Sequence, residues 1–218
     1  MINIKKFIKN NSDYRYAEFE KKIIKTSHQI NGVRVPTLRK FAKELEPEYI
    51  ELEDNVCYEE ILLYGFAASY IKSEDEQIEY TQNLLPLFDD WSLVDEIVLS
   101  MKEFKTDKSY QFLTNLFFDD REYYVRTGVV GLMRHFLKTE KQEEILQNLR
   151  QVTCQAHYAK MAISWLYSEL CTFNFERAKK EIEQLTDAFI RNRSISKACD
   201  SYRVDKTHKE ELQKLRIK

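Results

Sequence analysis

Glycine and proline are scarce in this chain of 218 residues, which contains four and three of them, and no stretch is rich in either residue or in serine. Flexible linkers between domains are rich in these residue types. The sequence therefore offers no segment that would separate two domains. Since a chain of this length can bury one continuous core, we predict a single domain over residues 1–218.

Several classes of site are also missing from the sequence. The four cysteines form no CxxC pair, and neither they nor the four histidines show the spacing of metal ligands. There is no phosphate-binding P-loop, no dinucleotide-binding glycine pattern and no nucleophile elbow. No apolar run approaches the roughly 18 residues that a membrane span requires. We therefore expect a cytoplasmic monomer without a metal, a cofactor or a membrane contact.

The net charge of −2 does not mark the chain as a nucleic-acid binder, because such proteins usually have an overall basic character. The distribution of charge is uneven, however. Residues 191–218 contain nine basic and four acidic residues, so that this segment carries +5 and the remainder −7. The sequence thus allows either one positive face or an ordinary solvated basic tail.

What the chain does contain favours helix, because leucine, lysine and glutamate are abundant. Apolar residues recur at three and four residues, as at Leu62, Leu63, Phe66, Ala67 and Tyr70. No run alternates between apolar and polar residues for long enough to form a sheet. The sequence therefore predicts about ten to twelve helices, each of roughly 10–16 residues and joined by short connections.

Some helix boundaries follow from capping residues. Pro36 is tolerated in a first turn and opens a predicted helix that ends at Leu45. Asn174 is a suitable N-cap for a predicted helix over residues 175–190. Residues 122–136, although rich in β-branched side chains, are predicted to form a helix with one buried face.

Pairs of these helices recur about every 35–40 residues, a period typical of HEAT and armadillo repeats. Trp91, Arg126 and Trp165 follow this period, with steps of 35 and 39 residues. Equivalent helices stacked side by side would bring these positions onto one concave surface. We therefore predict an all-α fold, a HEAT-like or armadillo-type superhelix of antiparallel helix pairs with a concave groove.

The most informative polar pattern contains Trp91 and Asp95, which share one helix face because they are four residues apart. An indole can stack on a base or a cation, while a neighbouring carboxylate stabilises positive charge or positions a water molecule. The alternative interpretation is a half-buried tryptophan at a helix start, with Asp95 as an ordinary surface acid.

Two further clusters have weaker patterns. Trp165 follows a strongly apolar helical stripe, which is typical of a core residue. Tyr124 and Arg126 lie near a helix start, where they could grip a phosphate. Arg126 could equally pair with one of the acids at positions 119, 120 and 122.

Three segments, in the same order and at similar spacing, resemble motifs of the AlkD-type DNA alkylation repair proteins. Residues 31–43 resemble the family's G-V-x-x-P-x-L-R-x-x-A-K stretch, residues 91–95 its W-x-x-V-D motif, and residues 162–165 its A-I-x-W motif. The resemblance extends from about residue 14 to residue 203.

This resemblance implies a superhelix whose concave face holds duplex DNA and a glycosylase that releases N3- or N7-alkylated purines without a metal or cofactor. It implies that Trp91 and Trp165 lie against the sugar and backbone of the lesion, and that Asp95 stabilises a cationic sugar and positions water. The candidate DNA-contact residues, taken from the resemblance and the charge pattern, are Tyr124, Arg126, Thr127, Lys160, Arg193, Lys197 and Arg203.

The chain departs from the family pattern at two positions. Thr127 aligns with an arginine that contacts the phosphate near the lesion in active members, and Arg126 points about 100° away around the helix. A shift of the alignment by one residue would place Arg126 there instead. Ser168 stands where relatives often carry arginine. These departures resemble a subgroup in which DNA binding persists and base excision is weak or absent.

Three hypotheses therefore remain. The chain is a glycosylase for alkylated purines, a non-catalytic module that binds damaged or branched DNA, or a HEAT-type scaffold that binds another protein.

Overall fold

The computed structural model describes residues 3–47 and 55–217, and within these ranges the chain forms thirteen α-helices and no β-strand. The prediction of an all-helical fold is confirmed. The helices contain between 8 and 14 residues, somewhat fewer than expected. None of those in the described ranges is both long and apolar enough to cross a membrane.

The contacts divide the chain into two compact units, residues 1–112 and 113–218. Seven helices begin in the first unit: α1 Ile4–Asn11, α2 Tyr14–Ile23, α3 Val35–Ala42, α4 Tyr58–Ala68, α5 Glu74–Leu84, α6 Trp91–Val98 and α7 Asp107–Asn115. The division falls inside α7. Helix α4 is buried along its whole length and packs against α3, α5 and α6, so it forms the centre of this unit.

Six helices form the second unit: α8 Glu122–His135, α9 Gln142–Leu149, α10 His157–Leu170, α11 Phe175–Gln184, α12 Ala188–Asp200 and α13 Lys206–Lys214. Helix α10 packs against both α8 and α12. The first residues of these three helices, Glu122, His157 and Ala188, are 35 and 31 residues apart. Side-by-side packing of every second helix at this step is what stacked helix pairs produce.

A carboxylate near the start of one helix accepts hydrogen bonds from a later helix start. In the first unit, Glu74 of α5 accepts from the amides of Lys105 at 3.0 Å and Thr106 at 2.9 Å, just before α7. In the second unit, Glu122 of α8 accepts from the amide of Tyr158 at the start of α10. Because helix N-termini leave amides without partners inside the helix, these carboxylates both satisfy the amides and hold successive pairs together.

The helix boundaries differ from the predictions at two places. The single helix predicted over residues 175–190 is wrong, since α11 ends at Gln184 and α12 begins at Ala188. Asp187 is extended and accepts from the amide of Ile190 at 3.0 Å, so it caps a new helix. The helix opened by Pro36 ends at Ala42, three residues earlier than predicted. The helix predicted over 122–136 forms, and ends at His135.

Candidate functional site

Helix α6 begins at Trp91, and Asp95 follows one turn later. Both side chains are half-buried, whereas Leu93 and Val94 are fully buried. The face shared by Trp91 and Asp95 is therefore partly open to solvent, as their four-residue spacing predicts. The alternative interpretation, a half-buried tryptophan at a helix start, describes the same placement, so the role of the pair depends on what surrounds it.

The first turn of α6 is held by a chain of buried hydrogen bonds. Asp90 is fully buried and caps the helix, accepting from Ser92 N at 2.8 Å and from Ser92 Oγ at 2.6 Å. Its second carboxylate oxygen accepts from the amide of Lys25 at 2.8 Å. The hydroxyl of Tyr58 donates to Ser92 Oγ at 2.9 Å. Trp91, which lies between Asp90 and Ser92, is thus attached to a fixed piece of backbone.

The residue before this cap is bound in the same way. Asp89 accepts from Thr26 Oγ1 at 2.5 Å, and from Ser27 N and Oγ, both at 2.6 Å. Burial raises the pKa of Asp89, but the hydrogen bonds from Ser27 and Thr26 outweigh it and leave the pKa below its ordinary value. Asp89 is therefore ionised at neutral pH, and it ties the approach to α6 to the segment after α2.

Arg39 of α3 contacts α6 at Glu96, the residue after Asp95. Its guanidinium donates to the backbone carbonyl of Glu96 at 3.2 Å and to the Glu96 carboxylate at 2.8 Å. The same group lies over the ring of Phe66, 4.1 Å from the centroid. Arg39 belongs to the 31–43 segment that resembles the family motif, so part of that motif serves to position α6.

The beginning of the same motif is a turn built around a buried acid. Glu59 is fully buried and accepts from the backbone amides of Asn31, Gly32 and Val33 at 2.8, 2.7 and 3.3 Å. Gly32 has a φ of +80°, and a Cβ there would lie 2.2 Å from the carbonyl oxygen of Asp13. Glycine is required here by both conformation and space, and the turn fixes the chain as it enters α3.

In the second unit, Trp165 lies in the middle of α10 and is half-buried. The ammonium group of Lys197, on the neighbouring helix α12, lies over its ring, with Nζ 5.5 Å from the centroid. Trp165, Lys197 and Arg203 line one cavity of about 270 Å³. Three of the predicted site residues of this unit are therefore brought together.

Two acids line this cavity, Asp200 and Glu169, and Glu169 lies one turn after Trp165. Arg203 donates to the two carboxylate oxygens of Glu169 at 2.8 and 2.5 Å, and Nζ of Lys138 lies 3.4 Å from Oε1 of Glu169. Burial raises the pKa of Glu169, but Arg203 and Lys138 outweigh it and lower the pKa below its ordinary value. Ser168, the second position that departs from the family pattern, donates to the carbonyl of Trp165 at 2.8 Å and so bonds within its own helix.

The two candidates for the phosphate-contacting position are both buried. Thr127 is fully buried and donates to the carbonyl of Tyr123 at 2.8 Å, one turn earlier in α8. Arg126 is 5% exposed and donates to the carbonyl of Tyr158 at 2.9 Å, which joins α8 to α10. Whichever alignment is chosen, the side chain at this position is buried and donates to a backbone carbonyl.

The remaining predicted contact residues lie outside the cavity of Trp165. Tyr124 is half-buried beneath the guanidinium of Arg121, whose Cζ is 3.4 Å from the ring centroid. Lys160 pairs with Asp187 at 2.6 Å. Arg193 is exposed, and its Nε donates to the sulfur of Met161 at 3.2 Å.

Sequence reasoning did not identify the residues that support these groups, namely Asp89, Asp90, Arg39, Glu59, Tyr58, Lys138 and Glu169. One signal was available, because Asp90 directly precedes a helix start and aspartate is a preferred N-cap. The others act across 26 or more residues and leave no local pattern. Within residues 3–47 and 55–217, no three histidine, cysteine or acidic side chains are grouped so as to hold a metal ion.

Comparison with known proteins gives one match. A family model described as DNA alkylation repair enzyme matches residues 4–215, nearly the whole chain. No curated protein and no solved structure matches the chain. The matched range contains all three segments whose resemblance to that family was noted in the sequence.

Proposed function

The chain belongs to the family of DNA alkylation repair enzymes. We propose that within this role its main activity is to bind duplex DNA at damaged or branched sites, and that base excision is secondary. The observation that carries this proposal is the cavity in which Trp165 is joined by Lys197 and Arg203. An aromatic ring with neighbouring cations is suited to a sugar and its phosphates. The superhelix with a concave groove, the single domain, the monomeric state and the cytoplasmic location are part of the proposal.

The arginine positions explain why binding is placed ahead of excision. Active relatives are expected to use an arginine on the phosphate beside the lesion, yet Thr127 and Arg126 are buried and Ser168 is bonded to its own helix. A neutral hydroxyl cannot replace the charge-assisted pair that a guanidinium makes with phosphate. Phosphate contacts would then be made by exposed or half-buried cations. The predicted contact residues of this kind are Lys160, Arg193, Lys197 and Arg203.

Fluorescence anisotropy with labelled duplexes tests the binding. The panel contains linear, nicked and branched DNA, and a linear duplex with one 7-methylguanine, each measured from low to high salt. We expect affinity to fall steeply with salt, with a slope of about −0.9 in log K against log [salt] for each phosphate contacted. Affinity that is unchanged by salt, or no binding at all, contradicts the proposal, and a stable protein partner would then favour a scaffold.

Base excision is the second candidate, and the Trp91–Asp95 pair favours it. An N7- or N3-alkylated purine carries positive charge. It leaves as a neutral base when the glycosidic bond between N9 and C1′ breaks and the base keeps the electron pair. A carboxylate at Asp95 would stabilise the cationic sugar that forms and orient the water that adds to C1′. Trp91 would pack against the sugar, and the buried bonds of Asp90 would keep it in place.

A glycosylase assay separates the two candidates. Methylated DNA is incubated with excess protein, and released 7-methylguanine and 3-methyladenine are measured by chromatography. If the chain excises bases, Asp95→Asn abolishes release, whereas the matched control Asp75→Asn, an exposed acid 68% accessible, does not. An absence of release by the unmodified protein rejects the excision candidate and leaves the binding proposal standing.

A further inference from the structure

The position of Lys197 has a consequence for what the Trp165 cavity can accept. The π face of a tryptophan attracts cations such as an alkylated base or a positively charged sugar. In this protein the ammonium of Lys197 already lies over that ring, with Nζ 5.5 Å from the centroid. A second cation at Trp165 would have to displace Lys197 or be repelled by it.

The half-buried acid of the cavity, Glu169, is already paired with cations. Glu169 has 16% of its side chain exposed, and it pairs with Arg203, which also lines the cavity, and with Lys138. Its negative charge is therefore matched by two cations, whose side chains are 60% and 58% exposed. In the wall of the cavity, the side chain of Arg203 is therefore more exposed than that of the acid with which it pairs.

The hydroxyl groups and the second acid of the cavity do not add to this preference against a second cation. Ser168 and Thr172 donate to the carbonyls of Trp165 and Glu169, at 2.8 Å in each case, so these hydroxyl protons are not available to a ligand. Ser201 accepts from the amide of Arg203 at 3.2 Å, which leaves its proton on the side away from that amide. Asp200 is the remaining acid of the wall and is exposed at the end of α12.

We infer that Lys197 is a specificity-determining residue, which fills the π face of Trp165 with the protein's own cation and makes this cavity select an anionic sugar phosphate over a cationic base or sugar. The inference rests on the proposed DNA-binding function and names the part of DNA that this site takes. The volume of about 270 Å³ is below the range of roughly 300–1,000 Å³ usual for sites of larger ligands, and suits a phosphate with its sugar.

The test uses the two indole N–H signals of the full-length protein in ¹⁵N NMR spectra, assigned with Trp91→Phe. The anionic probe is 2-deoxyribose 5-phosphate, and the cationic probe is choline, a quaternary ammonium that aromatic rings bind. We expect the phosphate to shift the Trp165 signal saturably in the unmodified protein and choline to leave it unchanged.

Lys197→Met removes the charge while keeping a side chain of similar length. In this variant we expect phosphate affinity to fall about tenfold or more, the loss of one hydrogen bond to a charged group, and choline to shift Trp165. Lys206→Met is the matched control, because Lys206 is 92% exposed on α13, and it should leave both responses unchanged. The remaining amide signals report whether each variant is folded.

The inference is overturned if choline shifts Trp165 equally in the unmodified protein and in Lys197→Met, or if Lys197→Met binds the phosphate unchanged. These outcomes are distinct from a failure of the proposed function. Duplex binding without any phosphate response at Trp165 rejects this inference alone, whereas a phosphate response without duplex binding rejects the DNA-binding proposal alone.

Discussion

Trp91 and Trp165 are each followed four residues later by an acid, but the two pairs stand in different surroundings. Trp91 is in the first turn of α6, and its backbone is fixed by Asp90, a fully buried carboxylate bonded to neutral donors. Trp165 is in the middle of α10, where a neighbouring helix supplies Lys197, and its acid Glu169 is neutralised by surface cations. The same spacing thus gives a rigid helix start in one unit and an ion-paired cavity in the other.

This difference shows that the family motifs combine two kinds of residue. Around α6, the motif residues Gly32 and Arg39 build and position the helix that carries Trp91. Around α10, the residues that modify Trp165 come from a segment with no motif. Substitution of the residues that support α6 should therefore lower the stability of the protein strongly. Substitution around the Trp165 cavity should lower it little.

The largest expected effect is the loss of the turn before α3. Gly32→Ala places a Cβ 2.2 Å from a backbone carbonyl oxygen and forces alanine to a φ of +80°. We expect the free energy of unfolding to fall by about 3 kcal/mol, measured by urea denaturation with Trp91 emission in a Trp165→Phe background.

Gly131→Ala in the second unit is the comparison for this variant. Its Cβ would meet the end of the Leu113 side chain, 2.5 Å away, which can rotate. Here the gain in helix propensity, roughly 1 kcal/mol, offsets most of the overpacking. Equal losses for the two variants would show that the turn at Gly32 is not a special support.

An intermediate effect on stability is expected from neutralising the carboxylate near each tryptophan, Asp90 for Trp91 and Glu169 for Trp165. Asp90→Asn weakens the acceptor for the buried amide of Ser92 and for the amide of Lys25, which should cost about 2 kcal/mol. Glu169→Gln removes ion pairs whose partners are largely exposed, which should cost under about 1 kcal/mol. Urea midpoints of the two variants give the comparison directly, and a reversed order would contradict it.

The last expected effect is a dependence of stability on acidic pH. Burial raises the pKa of Glu74, but hydrogen bonds from Ser109, Thr106 and the amide of Lys105 outweigh it and lower the pKa to about 2. A lowered pKa stabilises the fold fully above the unfolded value of 4.5, and this contribution is lost as pH falls towards 2.

The unmodified protein should therefore lose stability between pH 4.5 and pH 2, and Glu74→Gln should show a flatter profile there. At neutral pH the variant should be about 1 kcal/mol less stable. Urea midpoints measured across this pH range provide the test. Glu76→Gln, an exposed acid in the same turn, should retain the original profile, and an identical loss in both variants would reject the role given to Glu74.

The sequence predicted the helical fold because scarce glycine and proline and helical apolar spacing act locally. The wrong prediction of a single helix over residues 175–190 also has a local cause. Leu185 continues the apolar pattern across the break, and this pattern outweighed the N-cap signal of Asp187, whose bond to Ile190 shows that it caps a new helix. The cap at Asp90 was within reach of the same reasoning that identified Asn174.

The site was less predictable, because its surroundings come from other helices. The Trp91–Asp95 face follows from spacing alone. The burial of Arg126 depends on a carbonyl 32 residues later, and the cation over Trp165 is 32 residues further along the chain. Both separations are close to the steps of 35 and 31 residues between the starts of α8, α10 and α12, so a residue-level repeat alignment is the signal that would have found them.

The carboxylates that join successive helix starts also affect how the chain folds. The bonds of Glu74 span 31 and 32 residues, and that of Glu122 spans 36. Contacts of this sequence separation close small loops, and chains dominated by such contacts fold faster than those that must first join distant segments. Structure can then nucleate at one helix pair and spread to its neighbours, and a substitution at one of these carboxylates weakens a single step of that propagation.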